Sequence, residues 1–215
     1  MPEKQQISVC VNTIKRPRLL LELLEALDGQ ETGGHFDYDI VVVDNDETGS
    51  ARSAVQAVSA RMKTTVHYFV ELKPNTAMSR NVAVANARGD LVAFVDADEQ
   101  PGPRWLLEHY RALTLFETSG VLGPVVPRYE SSPPRWVLDG RLFEKPDYFS
   151  GYFLFWDMTS LQNCLLRRSL FADSGPWFRH QFGRGGEDRD FFKRKIEEGY
   201  VFVWCRDAPV HEVIA

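Results

Sequence analysis

An α/β fold, with a mostly parallel central sheet flanked by helices on both faces, is the class that this sequence predicts. Three observations carry the prediction. Short apolar runs alternate along the chain with segments patterned as helices. The run LVAFV at 91–95 is apolar without interruption, as a strand covered on both faces must be. With 44% hydrophobic and 12% aromatic residues in 215, the chain can bury a full core, which argues against global disorder and for one large domain over 1–215.

The elements follow in order. Ile7 to Asn12 reads as a first strand, and Pro17 suits the first turn of a helix reaching about Ala26. YDIVVVDND is a second strand ending at Asp44, followed by a helix from about Ala51 to Arg61. TVHYFVE is a third strand. NTAMSRNVAVANARGD reads as a helix that begins after Pro74 and stops at Gly89. LVAFVDADE is the fourth strand. Between Pro127 and Thr159 the alternation lapses, dividing the chain into a half at 1–126 and a half at 127–215.

Charge and cysteine content narrow the partners. Lys plus Arg total 25 against 30 Asp plus Glu, a net charge of −5 with both signs mixed, which gives no support for a nucleic-acid partner. Cys10, Cys164 and Cys205 are odd in number and far apart, the pattern of buried reduced thiols in a cytoplasmic protein. The N-terminus lacks the apolar core of a signal peptide, and no stretch approaches the roughly 20 apolar residues that span a bilayer. A soluble, cytoplasmic chain is the expectation.

Polar residues collect where three strands end: Asn12-Thr13, Asp44-Asn45-Asp46 and Asp96-Ala97-Asp98. In open α/β sheets, ligands bind beyond the carboxyl ends of the strands. If Asp96 and Asp98 lie in one extended segment, both point the same way, and a hard divalent cation completed by phosphate oxygens suits such a pair. The plainer alternative is that they cap a turn before Pro101-Gly102-Pro103.

Several stretches, in register over nearly the whole chain, resemble the inverting glycosyltransferase family 2 with its GT-A fold. VCVNTIKRP is similar to the family's first nucleotide-contacting loop, and VVVDNDETGSA to the strand whose terminal aspartate meets uracil. KPNTAMSRNVAVANARGDLVAFVDADEQP resembles the family helix followed by the DxD strand; Arg80 and Asn81 match, while Lys73, Asn75, Ser79 and Ala83 depart from the pattern. Asn75 replaces a glycine and can adopt a left-handed conformation nearly as glycine does. TSLQNCLLRRSLF, GRGGEDRDFFKRKIEEGY and VWCRDAPVHE resemble the later strand, the ED motif at a helix start, and the short strand with a histidine.

The resemblance implies a transferase that takes a nucleotide-sugar donor, UDP foremost, and a sugar, lipid-linked or glycoconjugate acceptor in polysaccharide or glycoconjugate synthesis. It implies a divalent metal, Mn²⁺ or Mg²⁺, on Asp98 and His211, acting as a Lewis acid on the diphosphate. Asp96 is placed on the ribose, Arg80 near the diphosphate, and Asp44 on the uracil with Asp46 capping the next helix. Asn12, Thr13, Arg16, Asn75 and Ala97 complete the nucleotide-sugar contacts. Asp188 is the base that deprotonates the acceptor, with Glu187 the alternative. Trp156 and Asn163 are placed on the acceptor side.

These residues have plainer readings: Asp44 as a cap of the next helix, Arg80 as a surface arginine, Glu187-Asp188 as helix first-turn charges, His211 as an ordinary polar residue. Seven aromatics between Phe143 and Trp156 suit an acceptor surface, a local core under a long connection, or a peripheral membrane contact that exposed Arg135 and Trp136 would support. A nucleotidyltransferase is disfavoured because VNTIKRPRLL has no glycine to cradle phosphates. A two-carboxylate hydrolase leaves the nucleotide motifs unexplained. A catalytically inactive GT-A-like nucleotide-binding module is the alternative, countered by the presence of both the metal aspartates and a base.

Overall fold

The computed structural model describes residues 4–214. Its spine is a seven-stranded sheet. Strand β1 (Gln5–Thr13) lies between β2 (Phe36–Asp44) and β4 (Leu91–Asp96), parallel to both, and β2 pairs in parallel with β3 (Val66–Val70). Beyond β4 come β8 (Asn163–Arg167), β6 (Gly120–Leu122) and β9 (Phe202–Trp204), with β8 antiparallel to both of its neighbours and β9 parallel to β6. A second sheet of three strands, β5 (Glu99–Pro101), β10 (Val210–Ile214) and β7 (Val125–Tyr129), stands beside the end of β4.

Alternate residues of the strands feed two cores, which confirms helices on both faces. Ile7, Val9 and Val11 of β1 pack with Leu20, Leu23 and Leu27 of α1 (Pro17–Asp28), Val55 of α2 (Arg52–Ser59) and Trp105 of α4 (Trp105–Leu115). Cys10, Val41 and Val43 face the other way, onto Ala77, Ala83 and Val84 of α3 (Thr76–Asn86) and Phe191 and Phe192 of α6 (Glu187–Glu197). Burying a leucine or phenylalanine side chain contributes roughly 1.5–3 kcal/mol, so the two layers hold the strand ends in fixed register. Gly89 is required beneath them: a Cβ there would stand 2.6 Å from the Ser8 nitrogen and 2.7 Å from the Gln6 carbonyl oxygen.

The stretch 127–159 is sparse in regular structure, with α5 (Arg135–Asp139) and a 3-10 turn at Trp156–Met158. All three cysteines are buried and unpaired. No helix among the described residues is long and apolar enough to cross a membrane.

Candidate active site

The cleft opens where β1, β2 and β4 end. Asn12 and Thr13 from β1, Asn45 after β2, Ser79 from α3, and Asp96, Ala97 and Asp98 line a space of about 200 Å³, which Arg16, Gln162 and Glu212 close. Asn12 Oδ1 and Thr13 Oγ1 are buried and accept no hydrogen bond. Buried oxygens without donors are costly, so a bound molecule with N–H or O–H groups would stabilise them.

Strand β4 ends at Asp96, and residues 97 and 98 form a turn, so the expected single extended segment is corrected. The turn still delivers both carboxylates to the cleft. Glu99, fully buried, accepts the Asp96 backbone N–H at 2.8 Å, and the Val213 N–H donates to the Asp98 carbonyl at 2.8 Å. Burial pushes Asp96 up to about 6 against the attraction of Arg80, and the charges of Asp98 and Glu212 add to the push. Glu99 is raised well above the carboxylate range, first by burial and then by the charge of Asp96. Asp98 itself pairs with Arg16.

Arg80 is not a surface residue. Its guanidinium is buried, paired with Glu187, and stands 3.9 Å from Asp96 Oδ1. Burial raises Glu187, with Arg80 opposing, and its second oxygen has no partner. Glu187 is thereby enclosed behind the cleft. Asp188, the next residue, lies in a second cleft of about 580 Å³ with Lys145, Asp157, Thr159, Arg189 and Trp204. Gly185 and Gly186, at φ of +128° and +91°, make the reversal that starts α6 and puts these adjacent side chains on different sides. Gln162 lines both clefts.

Six expected placements differ from the arrangement in the structure. Asp44 is fully buried; it accepts from Asp46 N at 3.1 Å, Ala51 N at 2.9 Å and the Tyr68 hydroxyl at 2.7 Å, so the aspartate placed on the uracil instead serves the start of α2. Asp46, expected to cap, folds onto Thr48, and it is Asn45 that faces the cleft. Asn75 caps α3 by accepting the Met78 N–H at 3.0 Å, with an extended φ of −151° rather than a left-handed one, and lies outside the cleft. Asn163 is spent internally: Oδ1 accepts from Trp105 Nε1 and His109 Nε2, both at 2.7 Å, while Nδ2 donates to the Pro124 and Ala208 carbonyls, both at 2.8 Å.

His211 is exposed and pairs with Gln100 of β5, whose side chain reaches Glu22 of α1. Its neighbour Glu212 lies across from buried Glu99 and faces the cleft. Strand alternation therefore replaces His211 by Glu212. Trp156 sits outside both clefts with the Lys193 ammonium 5.5 Å from its ring centre, and the residues after it, Asp157 to Ser160, line the second cleft instead. Alternation along VHEVI could have singled out Glu212; nothing in the pattern marks Lys145 or Gln162.

Asp96, Asp98 and Glu212 offer hard oxygen donors of the type that Mg²⁺ and Mn²⁺ prefer. Among the described residues no group of three or more His, Cys, Asp or Glu is arranged to hold an ion unaided. The donor set fits a cation that takes further ligands from a bound phosphate.

Fold and site together define an α/β protein whose ligand cleft lies at the carboxyl ends of parallel strands and adjoins a second cleft with its own carboxylate. Residues 8–175 match Glycosyl transferase family 2, and the chain belongs to that family. It is a glycosyltransferase. It is 30% identical to the succinoglycan biosynthesis protein ExoM of Rhizobium meliloti (strain 1021), over 99% of this chain and 68% of that protein. It is 26% identical to the poly(ribitol-phosphate) beta-N-acetylglucosaminyltransferase TarS of Staphylococcus aureus (strain Mu50 / ATCC 700699), over 64% of this chain and 26% of TarS. The structure of S. aureus TarS 1–349 in complex with UDP superposes with a TM-score of 0.70 at 18% identity, covering 98% of this chain and 61% of that one. The complex with UDP-GlcNAc gives 0.71. The fold is thus GT-A, and the chain spans less than two thirds of either TarS chain.

Proposed function

We propose that this glycosyltransferase moves a sugar from a nucleotide-sugar donor, a UDP-sugar, to a hydroxyl acceptor with inversion, in polysaccharide or glycoconjugate synthesis. The observation that carries the reading is the meeting of two clefts at Gln162, one lined by Asp96 and Asp98 and the other by Asp188. The UDP and UDP-GlcNAc complexes of TarS support the donor class, and the succinoglycan protein supports the product class.

Residues 1–126 hold most of the donor, and 127–215 supply Gln162 and Glu212 to its cleft together with the acceptor side and the base. The unpartnered oxygens of Asn12 and Thr13 accept from base or ribose, and Asp96 accepts from ribose hydroxyls. Arg80, behind Asp96, adds positive charge near the phosphates. Asp98, with Asp96 and Glu212 near it, would hold a divalent cation, Mn²⁺ or Mg²⁺, which supplies Lewis-acid stabilisation to the departing diphosphate. Asp188 takes the acceptor proton as the oxygen attacks the anomeric carbon from the face opposite the leaving group. Trp136, Phe149, Phe153 and Phe155, each 63–69% exposed, support a surface contact, which for a cytoplasmic enzyme would be the inner face of a membrane.

Calorimetric titration of UDP, with GDP and dTDP as controls, with Mn²⁺ or with chelator, on the native chain and Asp98→Ala tests the donor half. Metal-dependent UDP binding that the variant loses is expected. Failure to bind any nucleotide under either condition sinks the reading, and binding without sugar transfer would favour an inactive module.

A further inference from the structure

A cluster of three side chains forms the wall between the clefts. Lys145 Nζ donates to Gln162 Oε1 at 2.9 Å and to Glu212 Oε2 at 3.0 Å, and Gln162 Nε2 reaches Glu212 Oε1 at 3.5 Å. Gln162 and Glu212 face the cleft of Asp96 and Asp98; Gln162 and Lys145 face that of Asp188. A donor with its nucleotide in the first cleft and its anomeric carbon before Asp188 must lay its diphosphate along this wall.

The cations nearby differ in how they are committed. Arg80 is buried on Glu187, Arg16 is paired with Asp98 and lines only the first cleft, and Arg189 lines only the second. Lys145 sits on the irregular stretch between α5 and the turn at Trp156, with a side chain 36% exposed. An ammonium on a four-carbon stem is a point charge that can be re-aimed. Its charge opposes the upward push on both Asp96 and Glu99, which puts it within electrostatic reach of the cleft's acidic end.

We propose that Lys145 is a further catalytic residue, which exchanges Glu212 for the sugar-linked phosphate of the donor and stabilises the diphosphate as it leaves. The inference rests on the nucleotide-sugar reading above. As the acceptor oxygen bonds to the anomeric carbon, the bond from that carbon to the phosphate oxygen breaks, and its electron pair stays on the diphosphate. The acceptor proton passes to Asp188. Lys145 keeps its protons and donates a charge-assisted hydrogen bond to the oxygen that gains the pair.

The test is titration of the native chain, Lys145→Ala and Lys145→Arg with UDP and with UMP in Mn²⁺, with thermal melts as folding controls. A charge-assisted bond to the second phosphate predicts that Lys145→Ala weakens UDP by about tenfold or more and leaves UMP within about twofold, and that Lys145→Arg recovers most of the loss. If Lys145 only pins its loop to β10, UDP and UMP weaken together or not at all, and the inference is overturned. A native chain that binds neither nucleotide takes the donor reading down first and this inference with it.

Discussion

Arg80 on α3 and Glu187 at the start of α6 form a buried ion pair across 107 positions of sequence. It ties the helix behind the cleft of Asp96 and Asp98 to the turn that presents Asp188. Removing one partner strands a charge, at a cost of about 3–5 kcal/mol. Arg80→Met should therefore destabilise the chain by that amount in urea unfolding, and adding Glu187→Leu should recover much of it. A loss below about 1 kcal/mol for Arg80→Met would show the pair to be solvated.

Asp188→Asn keeps shape and hydrogen-bonding ability while abolishing basicity. Sugar transfer should fall by roughly 10²–10⁴-fold, the range of general base catalysis, with UDP affinity unchanged. Retention of full turnover would move the base elsewhere.

Asn163 makes four hydrogen bonds inside the fold, holding α4 and the chain at Pro124 and Ala208 to β8. Asn163→Leu leaves Trp105 Nε1, His109 Nε2 and the Ala208 carbonyl without partners, at about 1–3 kcal/mol each, while the Pro124 carbonyl keeps the Val210 N–H. A loss of at least about 3 kcal/mol in urea unfolding is expected; a near-neutral change would mean that water replaces the amide.

His109 gives a pH dependence. Asn163 Nδ2 donates to two carbonyls, so its Oδ1 must accept from His109 Nε2–H, leaving Nδ1 buried without a partner. Burial lowers this histidine from 6.5 to about 4, with the Asn163 hydrogen bond opposing. The folded-state value is depressed, so below 6.5 the unfolded chain binds a proton that the folded chain refuses. Stability should fall as pH drops from 6.5 towards 4 and this contribution should then level off. His109→Gln should flatten the slope of urea midpoint against pH between 6.5 and 5, above most carboxylate titrations. An unchanged slope would assign the effect to other groups.

The strand ends were legible because their signal is local. A parallel strand buried on both faces ends where polar residues begin, and Asn12, Thr13, Asp96 and Asp98 stand in the cleft as the pattern requires. Asp44 was ambiguous because a carboxylate at a strand end serves a ligand or the next helix equally well, and its bond to Tyr68, 24 residues away, is invisible in the local pattern. His211 and Glu212 are adjacent, and the face each takes depends on pairing with β5, over a hundred residues earlier. Lys145 carried no signal at all: it lies on an irregular stretch, and its partners come from two distant segments.

The sheet of β5, β10 and β7 sets the time at which the cleft exists. Strand β10 supplies Glu212 to the cleft wall and the N–H that holds the Asp98 carbonyl, and it pairs with strands made roughly 80 to 110 residues before it. During synthesis the aspartate turn therefore emerges long before the strand that pins it. A nascent chain that has laid down β1 to β4 already has most of the residues that line this cleft, yet lacks the strand that pins the aspartate turn until β10 docks.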